Sequence, residues 1–332
     1  MTTILAQIAP QRSTQYADLV RLAIPELQLS PPVSRQLTSH LSPWSGLCTL
    51  YLAAGAGQAT APRNSHVGND QRIFHPARSD RRGRGTTVAA LGERLASGNF
   101  PDLVATRRYR GKTNELFTHF LCNVARASSA FAHEPWQNLT VMDPLMGGGT
   151  TLFVALMLGA QKVGGVDSDT DDVRSTATFL QQYLQNERIS HKMQPERLKG
   201  LGLRWQCTIG KKGGDRPLQE CILANGDTRQ TQTLLPGFKP HLLVADLPYG
   251  VQHQGQLNTL LLEAMPQWLA MLRRGGAVAL AWDATRFERS KMIGLLQTLP
   301  GVQLHNDSPY DALTHSVDRV IKARDVVFLT KM

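Results

Sequence analysis

From residue 139 onward, short apolar runs alternate with stretches of helical periodicity, and four of those runs lead into an aspartate. Leu139–Met142 leads into Asp143, Val163–Val166 into Asp167, and Leu242–Ala245 into Asp246. Cys221–Ala224 passes through Asn225 and Gly226 to Asp227. Runs of this length bounded by turn residues predict buried strands. Between them, Thr151–Leu158 is continuously apolar, and residues 171–186 carry Val173, Ala177, Leu180 and Leu184 at helical spacing. A further helix over 257–272 runs into Arg273-Arg274-Gly275-Gly276, followed by a strand over Ala277–Trp282. Strands alternating with helices predict an α/β fold with a mostly parallel, doubly wound sheet and right-handed crossovers. In such a sheet ligands gather at the carboxyl ends of the strands, which is where the aspartates fall.

A chain of 332 residues accommodates one large α/β domain and a smaller companion. Residues 1–62 read as a small N-terminal region, mostly helical or α/β. Residues 63–105 combine a basic loop over 63–85 with a helix over 86–100, where Val88, Leu91 and Leu95 have helical spacing. The main domain occupies 106–332. Its amphipathic helix carrying Leu116, Phe120, Leu121 and Val124 follows the basic stretch 107–112, and Thr113 is placed to cap it. Residues 187–220 interrupt the rhythm with a long, basic, glycine-containing stretch. That pattern reads as an insertion with its own role or a disordered flap.

Two motifs carry chemistry. Asp143-Pro144-Leu145-Met146-Gly147-Gly148-Gly149-Thr150-Thr151 is a strand-to-helix glycine loop, and Asp246-Leu247-Pro248-Tyr249-Gly250 is a strand exit. The second places a carboxylate, a rigid turn and an aromatic face together, which suits holding a flat base by its exocyclic amine. The glycine loop is no Walker phosphate loop, because no lysine follows Gly149. A dinucleotide fingerprint fails too: Leu152 stands where its third glycine belongs. Together the motifs resemble the S-adenosylmethionine-dependent amino-methyltransferases, with their Asp-Pro-x-x-Gly-x-Gly-Thr cofactor loop and Asp/Asn-Pro-Pro-Tyr/Phe catalytic loop. The resemblance covers roughly residues 105–332.

The resemblance implies a Rossmann-like methyltransferase fold with an antiparallel C-terminal edge, to which the strand pair over Arg319–Leu329 would belong. It implies S-adenosyl-L-methionine as cofactor. Asp143, Pro144, Gly147, Gly149 and Thr150 would form the loop under the methionine part. Asp167 would accept from the ribose hydroxyls, and Gly226 and Asp227 would meet the adenine. Asp246 and the carbonyl of Leu247 would accept the two amine protons of the target base, Pro248 would aim them, and Tyr249 would stack on the ring. Leu247 departs from the commoner proline. The Asp-Leu-Pro-Tyr-Gly form is more similar to RNA guanine-N2 methyltransferases associated with the THUMP RNA-binding domain than to DNA enzymes, although the first hundred residues show no THUMP domain. Lys112 and Glu115 are further candidates for contact with cofactor or phosphate, and Arg319 either reaches a phosphate or pairs with Asp318 or Asp325.

A formal net charge of +10 favours a polyanionic partner. The expectation is nucleic acid, RNA before DNA, held by the stretches 63–85, 107–112 and 187–216. The expected activity is N-methylation of an exocyclic amine in RNA, guanine-N2 of tRNA or rRNA. DNA adenine-N6 or cytosine-N4 methylation is the alternative, followed by a non-catalytic, cofactor-binding RNA-associated protein and by a small-molecule methyltransferase. Four scattered cysteines predict neither a disulfide framework nor a metal site. With no signal-like terminus or apolar run long enough for a membrane span, a cytoplasmic setting is expected.

Overall fold

The apolar runs are buried on both faces, as parallel strands covered by helices require. In this computed structural model the residues described are 100, 102–109, 111–214, 216–248, 256–317 and 321–332, with Leu22, Pro25 and the backbone of three N-terminal strands. Those three are β1 (Thr2–Ile8), β2 (Cys48–Ala54) and β3 (Val88–Leu91), which form an antiparallel sheet in the order β1-β2-β3. The helix expected over 86–100 is therefore corrected at 88–91. Three apolar positions also fit a short strand, and pairing of Leu50 with Leu91 decides between them. The basic loop 63–85 lies outside the described residues.

The main sheet contains β4 (Thr140–Asp143), β5 (Lys162–Asp167), β6 (His191–Leu198), β7 (Gly202–Ile209), β8 (Gln219–Asn225) and β9 (Leu242–Asp246). Its later strands are β10 (Ala277–Asp283), β11 (Val302–His305), β12 (His315–Val317) and β13 (Ile321–Lys331). The order is β11-β13-β10-β9-β4-β5-β8-β7-β6, with β12 paired to β13. Strands β10, β9, β4, β5 and β8 are mutually parallel. β13 runs antiparallel to β10, so the expected antiparallel C-terminal edge is present. The fold is the doubly wound, Rossmann-like α/β class.

Five longer helices cover the sheet: α1 (Glu115–Ala127), α2 (Thr150–Leu158), α3 (Thr170–Asn186), α4 (Gln256–Met271) and α5 (Arg289–Gln297). Alternation along the strands separates two cores. Val141, Leu242, Val244 and Ala279 pack with Phe117, Phe153 and Leu180 of α1, α2 and α3. Met142, Leu243, Ala245 and Leu280 pack with Leu261, Trp268 and Leu296 of α4 and α5. Phe100, Leu103 and Val104, in the stretch 63–105 set apart from the main domain, are buried in the first of these cores.

Of the two readings of the stretch 187–220, an insertion or a disordered flap, the flap is set aside: β6–β7 is an ordered hairpin that extends the sheet through β8. Its register also divides the basic residues. Leu198 pairs with Gly202 and Arg204 with Ala224, so the turn bearing Lys199 lies at the carboxyl edge of the parallel strands. His191 pairs with Ile209 and Ile209 with Gln219, which puts Arg188, Lys211 and Lys212 at the opposite edge.

Candidate active site

The chain runs outward from β4 through β5 to β8, then returns across β4 to build β9 and β10 on the other side. The reversal leaves a crevice at the carboxyl ends of β4 and β9, the ligand position of a doubly wound sheet. Asp143 ends β4 and Asp246 ends β9, so the two motifs meet at this switch point.

The glycine loop is folded around its own acids. Asp143 Oδ1 accepts from Leu145 N at 3.0 Å, and Asp167 Oδ2, from β5, accepts from Gly147 N at 2.8 Å. Gly147 and Gly149 have φ of 47° and 82°, the left-handed region where glycine is favoured. A Cβ at Gly147 would meet no described atom within 4 Å, so this bend is open among the described residues. At Gly149 a Cβ would come within 2.8 Å of Thr176 Cγ2, so that glycine is required for packing against α3. Gly149 also precedes α2, whose N-terminus no side chain caps. Burial, above all, pushes the Asp143 carboxyl up to about 7. Bonds from Thr151 and Leu145 oppose that shift, and the nearby Asp167 and Asp246 charges add to it.

At the end of β8, Gly226 N donates to Asp167 O at 2.9 Å, which brings the third acidic strand end beside the second. Asp227 caps the turn Thr228–Gln230. It also receives Arg229 on both oxygens, and hydrogen bonds from that guanidinium hold its carboxyl below the usual range. The carboxylate expected to meet the adenine is thus already engaged by Arg229.

Asp246 is held from two directions. Thr113 Oγ1 donates to its Oδ2 at 2.7 Å, and Arg324 of β13 pairs with the same oxygen. Asp246 Oδ1 is buried with no hydrogen-bond partner among the described residues. Leu247 N donates to Ala281 O at 2.8 Å, extending the β9–β10 ladder to the edge of the motif. Pro248 follows at a half-buried position, and Tyr249 and Gly250 lie outside the described residues.

A strap closes over the glycine loop. Arg107 is buried and donates to Gly148 O, Ser175 O, Ser175 Oγ and Thr176 Oγ1 at 3.4, 3.2, 3.1 and 3.0 Å. The Tyr109 ring covers Gly148, where a Cβ would come within 2.3 Å of it, and its hydroxyl lies 2.6 Å from Thr150 Oγ1. Thr150, assigned to the cofactor loop, thus bonds to Tyr109.

Lys112 and Glu115 are turned to local use. Lys112 Nζ donates to Val104 O at 2.7 Å and lies 3.5 Å from Glu115. Asn114, not Thr113, caps α1, because its side chain accepts from Leu116 N and Phe117 N. Arg319 and Asp318 lie outside the described residues, and Asp325 pairs with Arg289 at 2.9 Å. Sequence reasoning missed Thr113 and Arg324 as partners of Asp246 and overlooked the bracing role of Arg107. Long-range register alone places the two partners.

No protein-family model and no curated protein matches this sequence. Among solved structures it is similar to TrmN from Thermus thermophilus, at 20% identity and a TM-score of 0.42. That match covers 74% of this chain and 55% of the other, so this chain spans little more than half of it. A Streptococcus thermophilus rRNA methylase matches at 16% identity and a TM-score of 0.36, covering 68% of this chain and 99% of the other. A T. thermophilus 16S rRNA N2 methyltransferase, RsmC, in complex with AdoMet and guanosine, matches at 15% identity and a TM-score of 0.38. Coverage there is 67% and 44% of the respective chains.

Proposed function

We propose that this chain is an S-adenosylmethionine-dependent methyltransferase acting on an exocyclic base amine of RNA, with guanine-N2 of tRNA or rRNA as the target. The observation that carries the reading is the buried Asp246 Oδ1, without a hydrogen-bond partner among the described residues, at the same sheet edge as the open Gly147 bend. A buried acceptor without a donor is costly, and it is the natural place for a ligand N–H.

The bound cofactor supplies an electrophilic methyl group on a sulfonium centre. The residues present fit it: the open bend at Gly147 would hold its methionine part, and Asp167, which has acceptor capacity beyond its two backbone bonds, would accept from the ribose hydroxyls. The base amine is a poor nucleophile because its lone pair is delocalised into the ring. Asp246 Oδ1 and the carbonyl of Leu247 accept its two N–H bonds, favouring a pyramidal nitrogen with its lone pair directed at the methyl. Pro248 restricts the backbone that aims the carbonyl. Tyr249, outside the described residues, has the role that the resemblance implies, stacking on the base, a contact worth about 1–3 kcal/mol. Little proton transfer is needed before attack, so positioning carries the rate.

The +10 charge supports a nucleic-acid substrate, and the Asp-Leu-Pro-Tyr-Gly form of the loop favours RNA over DNA. Of the basic stretches, Arg108 and Arg197 are exposed, as is Lys199 at the carboxyl edge, whereas Arg204 is buried against Glu196 and Leu234 O. The test incubates purified protein with radiolabelled cofactor and separate RNA and DNA pools, then identifies the modified nucleoside. Label in guanine-N2 of RNA supports the reading, and label only in DNA moves the substrate to adenine or cytosine amines. Asp246→Ala should remove transfer while cofactor binding persists. A variant that still transfers at the wild-type rate refutes the role of Asp246.

A further inference from the structure

We propose that Arg324 and Thr113 are positioning residues that turn the Asp246 carboxylate so that Oδ1 alone meets the target amine. This inference rests on the methyltransferase reading above.

Three distant parts of the chain converge on one carboxylate. Asp246 ends β9, one strand away from β13, and Ala281 of the intervening β10 is its register partner. Arg324 stands opposite Asp283 of β10 and reaches across that strand to Asp246. Its guanidinium lies 4.3 Å from the centroid of the Phe117 ring, so α1 covers it from above. Thr113 arrives from the turn before α1, whose start is fixed by the Asn114 cap.

The bonding is asymmetric. Arg324 and Thr113 both donate to Oδ2, and Oδ1 is left buried without a donor among the described residues. An arginine that served only to neutralise a buried carboxylate would gain most from the bidentate fork, which engages both oxygens. Here the pair forgoes that geometry and carries the penalty of an unsatisfied acceptor. Two donors on one oxygen fix the plane of the carboxylate and direct its other oxygen. A planar amine can then be met along a single line, the arrangement that positioning catalysis needs.

The test uses the full chain with Arg324→Lys, Thr113→Val, Thr113→Ser, Asp246→Asn and the Asp246→Asn/Arg324→Lys pair. Readouts are kcat, KM for RNA, cofactor affinity by calorimetry, and the urea midpoint. Lysine keeps the charge, but its compact ammonium on a flexible stem does not hold a donor on Oδ2 along the fixed line that the guanidinium sets. Arg324→Lys should lower kcat on the order of a hundredfold, with cofactor affinity and unfolding midpoint near wild type. Thr113→Val should cost roughly tenfold, and Thr113→Ser should restore most of it, because the donor returns. In the double variant the arginine change should add no further loss, as for residues that act as a unit. Retention of kcat within about threefold in Arg324→Lys, or multiplying losses in the pair, overturns the inference. A loss that follows the unfolding midpoint does the same. If wild type transfers methyl and Asp246→Asn is severely slowed while Arg324→Lys stays within about threefold of wild type, only this inference falls. If wild type labels no nucleic acid, the activity reading falls and takes this assignment with it.

Discussion

Arg107→Met tests whether the strap braces the glycine loop. The arginine is 8% exposed and makes four hydrogen bonds, two of good length to Ser175 Oγ and Thr176 Oγ1 and two longer ones to carbonyls. Its guanidinium also lies 5.0 Å from the Phe179 ring centroid. Hydrogen bonds to a charged group contribute about 1.5–3 kcal/mol each, but they do not add, and the longer pair contribute less. Burial pulls the guanidinium pKa down, a sign that desolvation offsets part of the gain. Methionine keeps the apolar stem against Phe179 and leaves the Gly148 and Ser175 carbonyls without this donor. The net loss works out at about 2–3 kcal/mol. Urea unfolding measures it as a fall in midpoint at unchanged slope. Cofactor titration of the folded variant should show weaker binding, because the loop loses its anchor at Gly148. Arg107→Lys should rescue little, since one ammonium cannot reach all four acceptors. A stability change under about 0.5 kcal/mol would place Arg107 among ordinary surface residues and refute the bracing argument.

The Asp143 carboxyl, raised to about 7 in the folded chain, makes stability depend on pH. The native state holds its proton above the range where the unfolded chain releases it. Stability therefore falls as pH rises from about 4 to about 7 and is level beyond. Asp143→Asn should flatten that slope and stabilise the unliganded protein at pH 8 by on the order of 1–4 kcal/mol. Urea midpoints across pH check this, and an unchanged profile refutes it. For the proposed nucleic-acid surface, Arg197→Glu with Lys199→Glu should weaken RNA binding and flatten its dependence on log salt by roughly one per lost phosphate contact. Lys211→Glu with Lys212→Glu, at the opposite edge, should matter less. Filter binding at several salt concentrations distinguishes them, and equal effects would refute the assignment of the carboxyl edge.

Strands β4, β5, β8, β9 and β10 were legible because their residues are buried on both sides, so apolar runs report them directly. Strand β6 was not. It is an edge strand whose Lys192, Gln194, Glu196 and Arg197 are exposed, and its backbone pairs with β7 without needing an apolar pattern. Val88–Leu91 failed for a related reason, because strand pairing depends on a partner about forty residues away.

By itself the amino-acid order determined the glycine loop, the acids at the strand ends and the doubly wound class, since local turn chemistry and alternating burial leave local marks. Tertiary structure alone decided which side chains share a carboxylate. Thr113 and Arg324 meet Asp246 across 133 and 78 residues of chain, brought there by strand order and register. It also sorted the basic residues, sending Lys199 to the carboxyl edge, Lys211 to the opposite one and Arg204 into an ion pair with Glu196. A charge in the sequence has sign but no direction, and only the packed sheet supplies the direction.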